Sequence, residues 1–241
     1  MANKKTVLLT GYKGFIGEYL TPYINPDIVI DLKDGENILS CPLPDADVVI
    51  HLAAQPGVIN SMKDPVHTVN NNITGTVRLL THYKNAKFIF ASSGGTIQET
   101  IESPYGLSKF CGEEFVKLMS DNYVILRFAN VYGKGSRSVA DKFLNNDITI
   151  YGDGSAERTY VYIDDLIRGI KQSLSWPQGT YYFGSDQTYT VKEIAEAVGK
   201  PIKYEGWRDG ELKNACLKNT TPDWQPTKDL MEYIKEAVCS Q

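Results

Sequence analysis

The 241-residue sequence predicts a doubly wound α/β fold, a parallel sheet covered by helices on both faces, followed by a small C-terminal lobe. Three observations lead there. Short β-branched runs alternate with helix-like stretches through the first half of the chain. The runs are continuously apolar, as strands buried on both faces require. A glycine-rich turn, Thr10-Gly11-Tyr12-Lys13-Gly14-Phe15-Ile16-Gly17, joins the first run to the first helical stretch.

Taken in order, Thr6–Thr10 reads as a buried strand and Phe15–Tyr23 as the helix after the turn. Ile28–Asp31 and Val48–Leu52 follow as strands, then Pro65–Tyr83 as one long helix. Phe88–Ser92 and Tyr123–Phe128 complete the sheet, with the helix Pro104–Ser120 between them. Beyond Gly133 the runs shorten to Ile148–Tyr151, Thr159–Ile163 and Thr180–Phe183, with helices over Val191–Val198 and Thr227–Val238. The expected division is a main domain over 1–133 and a small lobe over 134–241 whose elements partly rejoin the sheet.

Composition narrows the function. With 42% hydrophobic and 22% charged residues and a net charge of -4, the chain is an ordinary globular protein without a basic footprint for nucleic acid. No apolar run approaches the roughly 20 residues of a membrane span, and the N-terminus lacks the pattern of a secretory signal. The four cysteines, Cys41, Cys111, Cys216 and Cys239, are scattered without a CxxC pair. Reduced thiols in a cytoplasmic protein are therefore expected, and no metal centre.

The turn has the chemistry of a pyrophosphate cradle, because phosphate oxygens need exposed backbone N–H groups at a helix N-terminus. Gly11 permits the tight turn, Gly14 the close approach, and Gly17 the packing of helix on strand. Phe15 and Ile16 supply N–H groups of the first helical turn. Strand before and helix after give the motif its required context, a Rossmann-like βα unit. Asp31 ends the second strand, where a carboxylate accepts both ribose hydroxyls of adenosine and repels a 2′-phosphate. NAD is therefore the expected cofactor, with Lys33 close by.

Tyr105 and Lys109 stand at i and i+4 on one helical face. A nearby ammonium favours phenolate, so the pair is expected to lower the tyrosine pKa toward neutrality and create a base. Ser93 at the carboxyl end of the fourth strand can donate to the reacting oxygen.

In order, these residues resemble the extended short-chain dehydrogenase/reductase family, in its NAD-dependent nucleotide-sugar epimerase/dehydratase branch. The resemblance includes the 10–17 turn, Asp31, His51-Leu52-Ala53-Ala54-Gln55, Asn72-Ile73-Thr74-Gly75-Thr76 and Ser92-Ser93. It continues through Tyr105 and Lys109, Leu126-Arg127-Phe128-Ala129-Asn130-Val131-Tyr132-Gly133, Tyr151-Gly152-Asp153-Gly154, Arg158, Asp164-Asp165 and Trp207-Arg208-Asp209-Gly210-Glu211. It implies that Leu52, Ala53 and Ala54 line the cofactor, that Ser93, Tyr105 and Lys109 form the catalytic triad, and that Asn72 packs near it on the cofactor side. It also implies that Gly94 and Asn130 meet a nucleotide-sugar substrate, and that Arg158 and Arg208 hold its diphosphate. Asp164 and Asp165 read as a helix N-cap and first-turn charge. Homodimerisation through the helices Pro65–Tyr83 and Pro104–Ser120 is implied too, with Phe110, Phe115 and Met119 facing either outward or the core.

The sequence departs from this family by being short. Only twelve positions separate Ser93 from Tyr105, the stretch from Gly133 to Arg158 is also abbreviated, and Ile97 stands where many relatives carry tyrosine. Dehydratases of the family place an Asp-Glu pair where this chain has Gly94 and Gly95, so elimination lacks its acid and base. A keto-sugar reductase needs NADPH, which Asp31 disfavours. Epimerisation, most simply at C4 through a transient 4-keto sugar, is the expected reaction. The alternatives are a 4-keto-sugar reductase and a non-catalytic NAD-binding protein, against which the intact Ser93, Tyr105 and Lys109 argue.

Overall fold

The computed structural model describes residues 4–96, 101–209 and 214–240. In chain order its first elements are β1 (Val7–Thr10), α1 (Phe15–Ile24), β2 (Ile28–Ile30), β3 (Val48–His51), α2 (Val58–Lys63), α3 (Pro65–Val69), α4 (Gly75–His82), β4 (Lys87–Ser93), α5 (Pro104–Met119) and β5 (Tyr123–Phe128). The second half contributes β6 (Asn130–Tyr132), α6 (Val139–Asn145), β7 (Ile148–Tyr151), β8 (Glu157–Tyr162), α7 (Ile163–Ser173), β9 (Gly179–Phe183), β10 (Thr188–Thr190), α8 (Val191–Val198), β11 (Ile202–Glu205), β12 (Asn214–Ala215) and α9 (Leu230–Cys239).

Six strands pair in parallel in the order β2-β1-β3-β4-β5-β9. Alternate residues of each strand feed opposite faces. Leu9, Val48, Ile50, Ile89, Val124 and Leu126 pack with Leu20 of α1 and Leu166, Ile167 and Ile170 of α7. Leu8, Val49, Phe88, Phe90 and Ile125 pack with Leu79 and Leu80 of α4 and Val116 of α5. The doubly wound α/β class expected from the sequence is thus the observed one. The strand order reverses between β1 and β3, which makes the crevice at their carboxyl ends the natural ligand site.

The abbreviation reaches further than the two connections noted in the sequence. After β2 the chain makes one 3₁₀ turn, Leu32–Asp34, and returns to β3 without a further strand, so among the described residues β2 is the outermost strand of its wing. The expected helix over 65–83 is broken into α3, a π turn at Asn70–Thr74, and α4. Helices α2, α6 and α7 and the short strands β6, β10, β11 and β12 are additional to the elements expected. In α7 both Asp164 and Asp165 lie in the first turn, while the N-cap is Tyr162 rather than an aspartate.

Around β8, β6 and β12 pair in parallel and β10 antiparallel, while β7 pairs with β11. A third core of Phe143, Leu144, Ile148, Ile150, Ile194, Val198 and Ile234 holds α6, α8 and α9 against these strands. All four cysteines are free.

Asp165 ties the C-terminal segment to the sheet. Its side chain is 4% exposed and pairs with Arg168, while its carboxylate accepts the N–H groups of Thr227 (2.7 Å) and Lys228 (3.0 Å) and the Thr227 hydroxyl. Its carbonyl accepts the indole N–H of the buried Trp224 at 2.8 Å. Replacing Asp165 by Ala removes the carboxylate acceptor of Thr227, Lys228 and Arg168 but keeps the carbonyl that holds Trp224, so denaturant titration should show a loss of about 3 kcal/mol, with the 219–229 segment gaining the most in hydrogen exchange.

Candidate active site

The glycine turn is built as its spacing requires. Gly11 has φ of +76°, and a Cβ there would lie 2.6 Å from the Ala53 nitrogen. A Cβ on Gly17 would lie 2.3 Å from the Gly11 carbonyl and 2.6 Å from Tyr12 Cα, so α1 rests directly on the turn. Gly14 is the N-cap of α1 and contributes no side chain, leaving the N–H groups of Phe15 and Ile16 at an open helix start. Leu52, Ala53 and Ala54 leave β3 alongside. The Leu52 and Ala53 N–H groups donate to the Thr10 carbonyl (3.2 Å) and hydroxyl (3.3 Å).

Asp31 follows β2 and is 7% exposed. One oxygen accepts Lys33 N–H at 2.8 Å and the other Lys13 N–H at 2.9 Å, binding the 3₁₀ turn to the glycine turn. Each oxygen retains a lone pair for a ribose hydroxyl. The Lys33 ammonium is engaged by the Lys13 carbonyl at 2.6 Å, and Asp34 receives both the Tyr12 hydroxyl and the Lys13 ammonium. A cradle that any Cβ would fill, beside a strand-end carboxylate, fits a dinucleotide.

A chain of buried polar groups runs from this cradle to α5. Thr10 Oγ1 meets His51 Nδ1 at 2.8 Å, and His51 Nε2 meets Thr76 Oγ1 at 3.0 Å. Thr76 donates to the Asn72 carbonyl (2.7 Å), and the Asn72 side chain donates to the Gln55 carbonyl (3.1 Å) and Ser108 Oγ (2.9 Å) and accepts Gln55 N–H (2.7 Å). Ser108 in turn donates to the Tyr105 carbonyl at 2.8 Å. Burial, and then the Lys109 charge, press the His51 pKa down to about 3, so its ring is neutral. The π turn delivers Asn72 into this chain, as π turns often do at functional sites. Both Asn72 side-chain hydrogens are engaged within the protein, on the Gln55 carbonyl and Ser108 Oγ, so Asn72 ties the segment after β3 to α5.

Ser93 ends β4, and Gly94–Thr96 form a 3₁₀ turn in which Gly95 N–H reaches Ser93 Oγ at 3.3 Å. Tyr105 sits in the first turn of α5, after Pro104 and the Ser103 N-cap. Burial holds the Tyr105 phenol above its ordinary value, with the Ser93 hydroxyl pulling the other way. The expected lowering by Lys109 is absent in this resting state. The Lys109 ammonium donates to the Ala91 carbonyl at 2.8 Å and lies 4.9 Å from the Phe90 ring centroid. Burial lowers Lys109 to about 8, with Glu113 pulling the other way. Helical spacing aligned the two stems, and the carbonyl of β4 then claimed the ammonium.

Of the other candidates, Asn130 and Arg158 lie on the paired strands β6 and β8, while Arg208 lies after β11. Asn130 begins β6 and donates to the Thr159 carbonyl at 3.1 Å. Arg158 lies on β8 and donates to the Glu157 carbonyl at 2.9 Å. Arg208 stacks over Tyr151, 3.9 Å from its ring centroid, where Trp207 also closes on Gly152. A Cβ on Gly94 would stand 3.4 Å from the Phe128 carbonyl and 3.7 Å from the Leu217 side chain, so Leu217 already packs against that flank. Ile97, Gly210 and Glu211 lie outside the described residues. Tyr160 was missed in the sequence. It shares the face of β8 with Arg158, two residues away, and its buried hydroxyl has no hydrogen-bond partner among the described residues. Strand alternation from Arg158 was the signal for it. A cavity of about 290 Å³, lined by Tyr160 together with Tyr132, Gln187, Tyr189, Lys228 and Asp229, includes none of the triad.

Known proteins share this arrangement. Residues 27–182 match the NAD dependent epimerase/dehydratase family. A putative UDP-glucose 4-epimerase of Methanocaldococcus jannaschii is 31% identical over 295 aligned positions, spanning 96% of this chain and 97% of the relative. Its extra length therefore falls inside the alignment. The UDP-glucose 4-epimerase of Thermotoga maritima, solved with UDP-glucose, superposes with a TM-score of 0.80 at 26% identity, covering 96% of this chain and 97% of that one. The UDP-glucuronic acid 4-epimerase of Bacillus cereus, solved with UDP-glucuronic acid and NAD, gives 0.81 at 26% identity, covering 97% and 99%. With the cradle, the strand-end carboxylate and the Ser-Tyr-Lys group in place, the chain belongs to the NAD dependent epimerase/dehydratase family.

Proposed function

We propose that the protein is an NAD-dependent epimerase that inverts C4 of a nucleotide-linked sugar through a transient 4-keto intermediate. The observation that carries the reading is Ser93 at the carboxyl end of β4, with Tyr105 and Lys109 in the first two turns of α5 and the Lys109 ammonium bound to the Ala91 carbonyl of the same strand, at the edge of the sheet where the glycine cradle also lies. NAD supplies the hydride acceptor and donor for this chemistry. Gly11, Gly14, Gly17 and the N–H groups of Phe15 and Ile16 hold its pyrophosphate, Asp31 holds the adenosine ribose, and Leu52, Ala53 and Ala54 flank it.

Tyr105 removes the proton of the C4 hydroxyl and later restores it, while Ser93 donates to the same oxygen. Because burial keeps the Tyr105 phenol protonated, with Ser93 alone opposing it, proton removal awaits positive charge beside the ring. Lys109 supplies part of that charge when its ammonium leaves the Ala91 carbonyl. Arg158 and Arg208 hold the diphosphate by charge-assisted hydrogen bonds, Asn130 meets the sugar nucleotide, and the unpartnered Tyr160 hydroxyl beside Arg158 suits a phosphate oxygen. The 4-epimerase relatives support a UDP-linked hexose as the first substrate to try. In this reading residues 1–133 bind the cofactor and carry the triad, 134–241 hold the substrate, and the enzyme works in the cytoplasm.

The reading extends to a homodimer. Leu107 and Leu118 of α5, Val66 and Val69 of α3, and Ile59 and Met62 of α2 are exposed apolar side chains on neighbouring helices. Phe115 and Met119 instead pack on the sheet core. A second copy is the partner expected to cover this face.

Proton NMR of the protein with NAD and a panel of UDP-, GDP-, CDP- and dTDP-sugars tests the reaction. The C4 epimer should accumulate without net NADH, and Tyr105→Phe should cut turnover at least ~100-fold while NAD still binds. Consumption of NADPH with 4-keto sugars, and none of this conversion, would move the assignment to a reductase. For the assembly, wild type should sediment as a dimer and the double variant Val66→Asp, Leu118→Asp as a monomer; a monomeric wild type removes that part of the reading.

A further inference from the structure

Glu113 is fully buried on α5, four residues after Lys109 and eight after Tyr105. A buried carboxylate is costly unless every oxygen is engaged, and here both are. Oε1 accepts the Ser92 hydroxyl (2.5 Å), the Thr96 hydroxyl (3.1 Å) and Arg127 Nε (2.8 Å), while Oε2 accepts Arg127 Nη2 at 2.6 Å. The fork from Arg127, on β5, is bidentate, and the guanidinium continues to the Tyr182 hydroxyl on β9 at 2.5 Å. One carboxylate thus joins α5, β4 and β5 directly, and β9 through the arginine.

Ser93 lies between the two hydroxyls that Glu113 holds. Ser92 precedes it, and Thr96 closes the turn after it, sharing its hydroxyl between the Ser93 carbonyl (2.7 Å) and Glu113. Glu113 also stands one helical turn beyond Lys109 on α5, its carboxylate shared with the Arg127 guanidinium. The other groups around that ammonium carry no compensating negative charge: the Ala91 carbonyl and the Phe90 ring on β4, neutral His51 on β3, and Tyr105 on α5 itself.

We propose that Glu113 is a positioning residue of the catalytic group, fixing the Ser92–Thr96 turn that carries Ser93 and supplying the counter-charge that keeps Lys109 an ammonium. The inference rests on the reading of Ser93, Tyr105 and Lys109 as catalytic. Its two parts are separable. Thr96→Val removes a turn contact and leaves the charge, whereas Glu113→Gln removes the charge and keeps an acceptor for the turn.

The test is the pH dependence of kcat and KM for the four proteins wild type, Glu113→Gln, Glu113→Asp and Thr96→Val, with Tyr105→Phe as control. Lys109 is depressed toward about 8 while Glu113 opposes the depression. An activity that needs the ammonium is lost as pH rises through that value, and removing the carboxylate moves the alkaline limb to lower pH. Glu113→Gln should lower kcat ~10- to 100-fold with KM changed less than ~3-fold, and shift the limb acidward by about one pH unit. Glu113→Asp and Thr96→Val should lower kcat and leave the limb in place, and this pair carries the test if Glu113→Gln cannot be recovered folded. Wild-type kcat and limb in Glu113→Gln, or wild-type kcat in both other variants, overturns the proposal while an inactive Tyr105→Phe leaves the triad standing. An active Tyr105→Phe overturns the triad and this inference with it.

Discussion

The buried polar chain from Thr10 through His51, Thr76 and Asn72 to Ser108 is the constraint on which the site depends. A parallel sheet brings its strand ends to one edge, but apolar packing alone leaves their relative height and tilt soft. Hydrogen bonds between buried groups have a narrow geometric range, and each one broken leaves an unpaired group in a low-dielectric interior. The glycine turn after β1, the 52–54 segment after β3 and the first turn of α5 are therefore fixed against one another as a unit. The neutral imidazole of His51 serves here because one ring nitrogen can donate while the other accepts. The same logic explains the π turn. An ordinary helical register through residues 70–74 would rotate the Asn72 amide away from Gln55 and Ser108.

Around this unit the protein is built sparingly. The β2 wing ends after one strand beyond β1, the β4–α5 connection is brief, and α6, α8 and α9 share a small core of their own. What is kept at each place is the part that touches the cradle or the triad. Where apolar area is limited, buried polar clamps stand in for it: Asp165 holds the Thr227–Lys228 backbone, and Lys87 caps the Leu174 and Trp176 carbonyls at 2.8 and 2.7 Å. Such clamps contribute direction as well as energy, which a small lobe with few layers needs more than a thick one.

Much of this was legible in the sequence, for identifiable reasons. The sheet strands are runs of Val, Ile, Leu and Phe bounded by polar turns, and the glycine triplet has one structural solution in its context. Other features depend on tertiary partners and left no local trace. The Pro65–Tyr83 stretch has continuous helical character, so its π turn could not be seen without Gln55 and Ser108 opposite. Spacing placed Tyr105 and Lys109 on one face but could not show that the Ala91 carbonyl would claim the ammonium. Phe115 and Met119 were ambiguous because α5 is apolar on more than one side, and the choice between them and Leu107 and Leu118 is made by where β4 and β5 lie. The missing strand beyond β2 was invisible, since a short connection looks alike whether it trims a loop or a whole strand.

That bare wing has a consequence for how the chain behaves among its own copies. The last strand, Ile28-Val29-Ile30, pairs only with β1 among the described residues and is a β-branched triplet of the kind that invites another chain to add on. It is bracketed by Asp27 and Asp31, whose carboxylates are held in place by the backbone N–H groups of Val7, Lys13 and Lys33. An incoming strand would have to extend past both carboxylates to gain more than three residues of pairing. Asp31, 7% exposed and the ribose acceptor of the proposed function, thus also ends the edge strand with a charge. Exchanging it to alter cofactor preference would also remove one of the two charges that guard the edge.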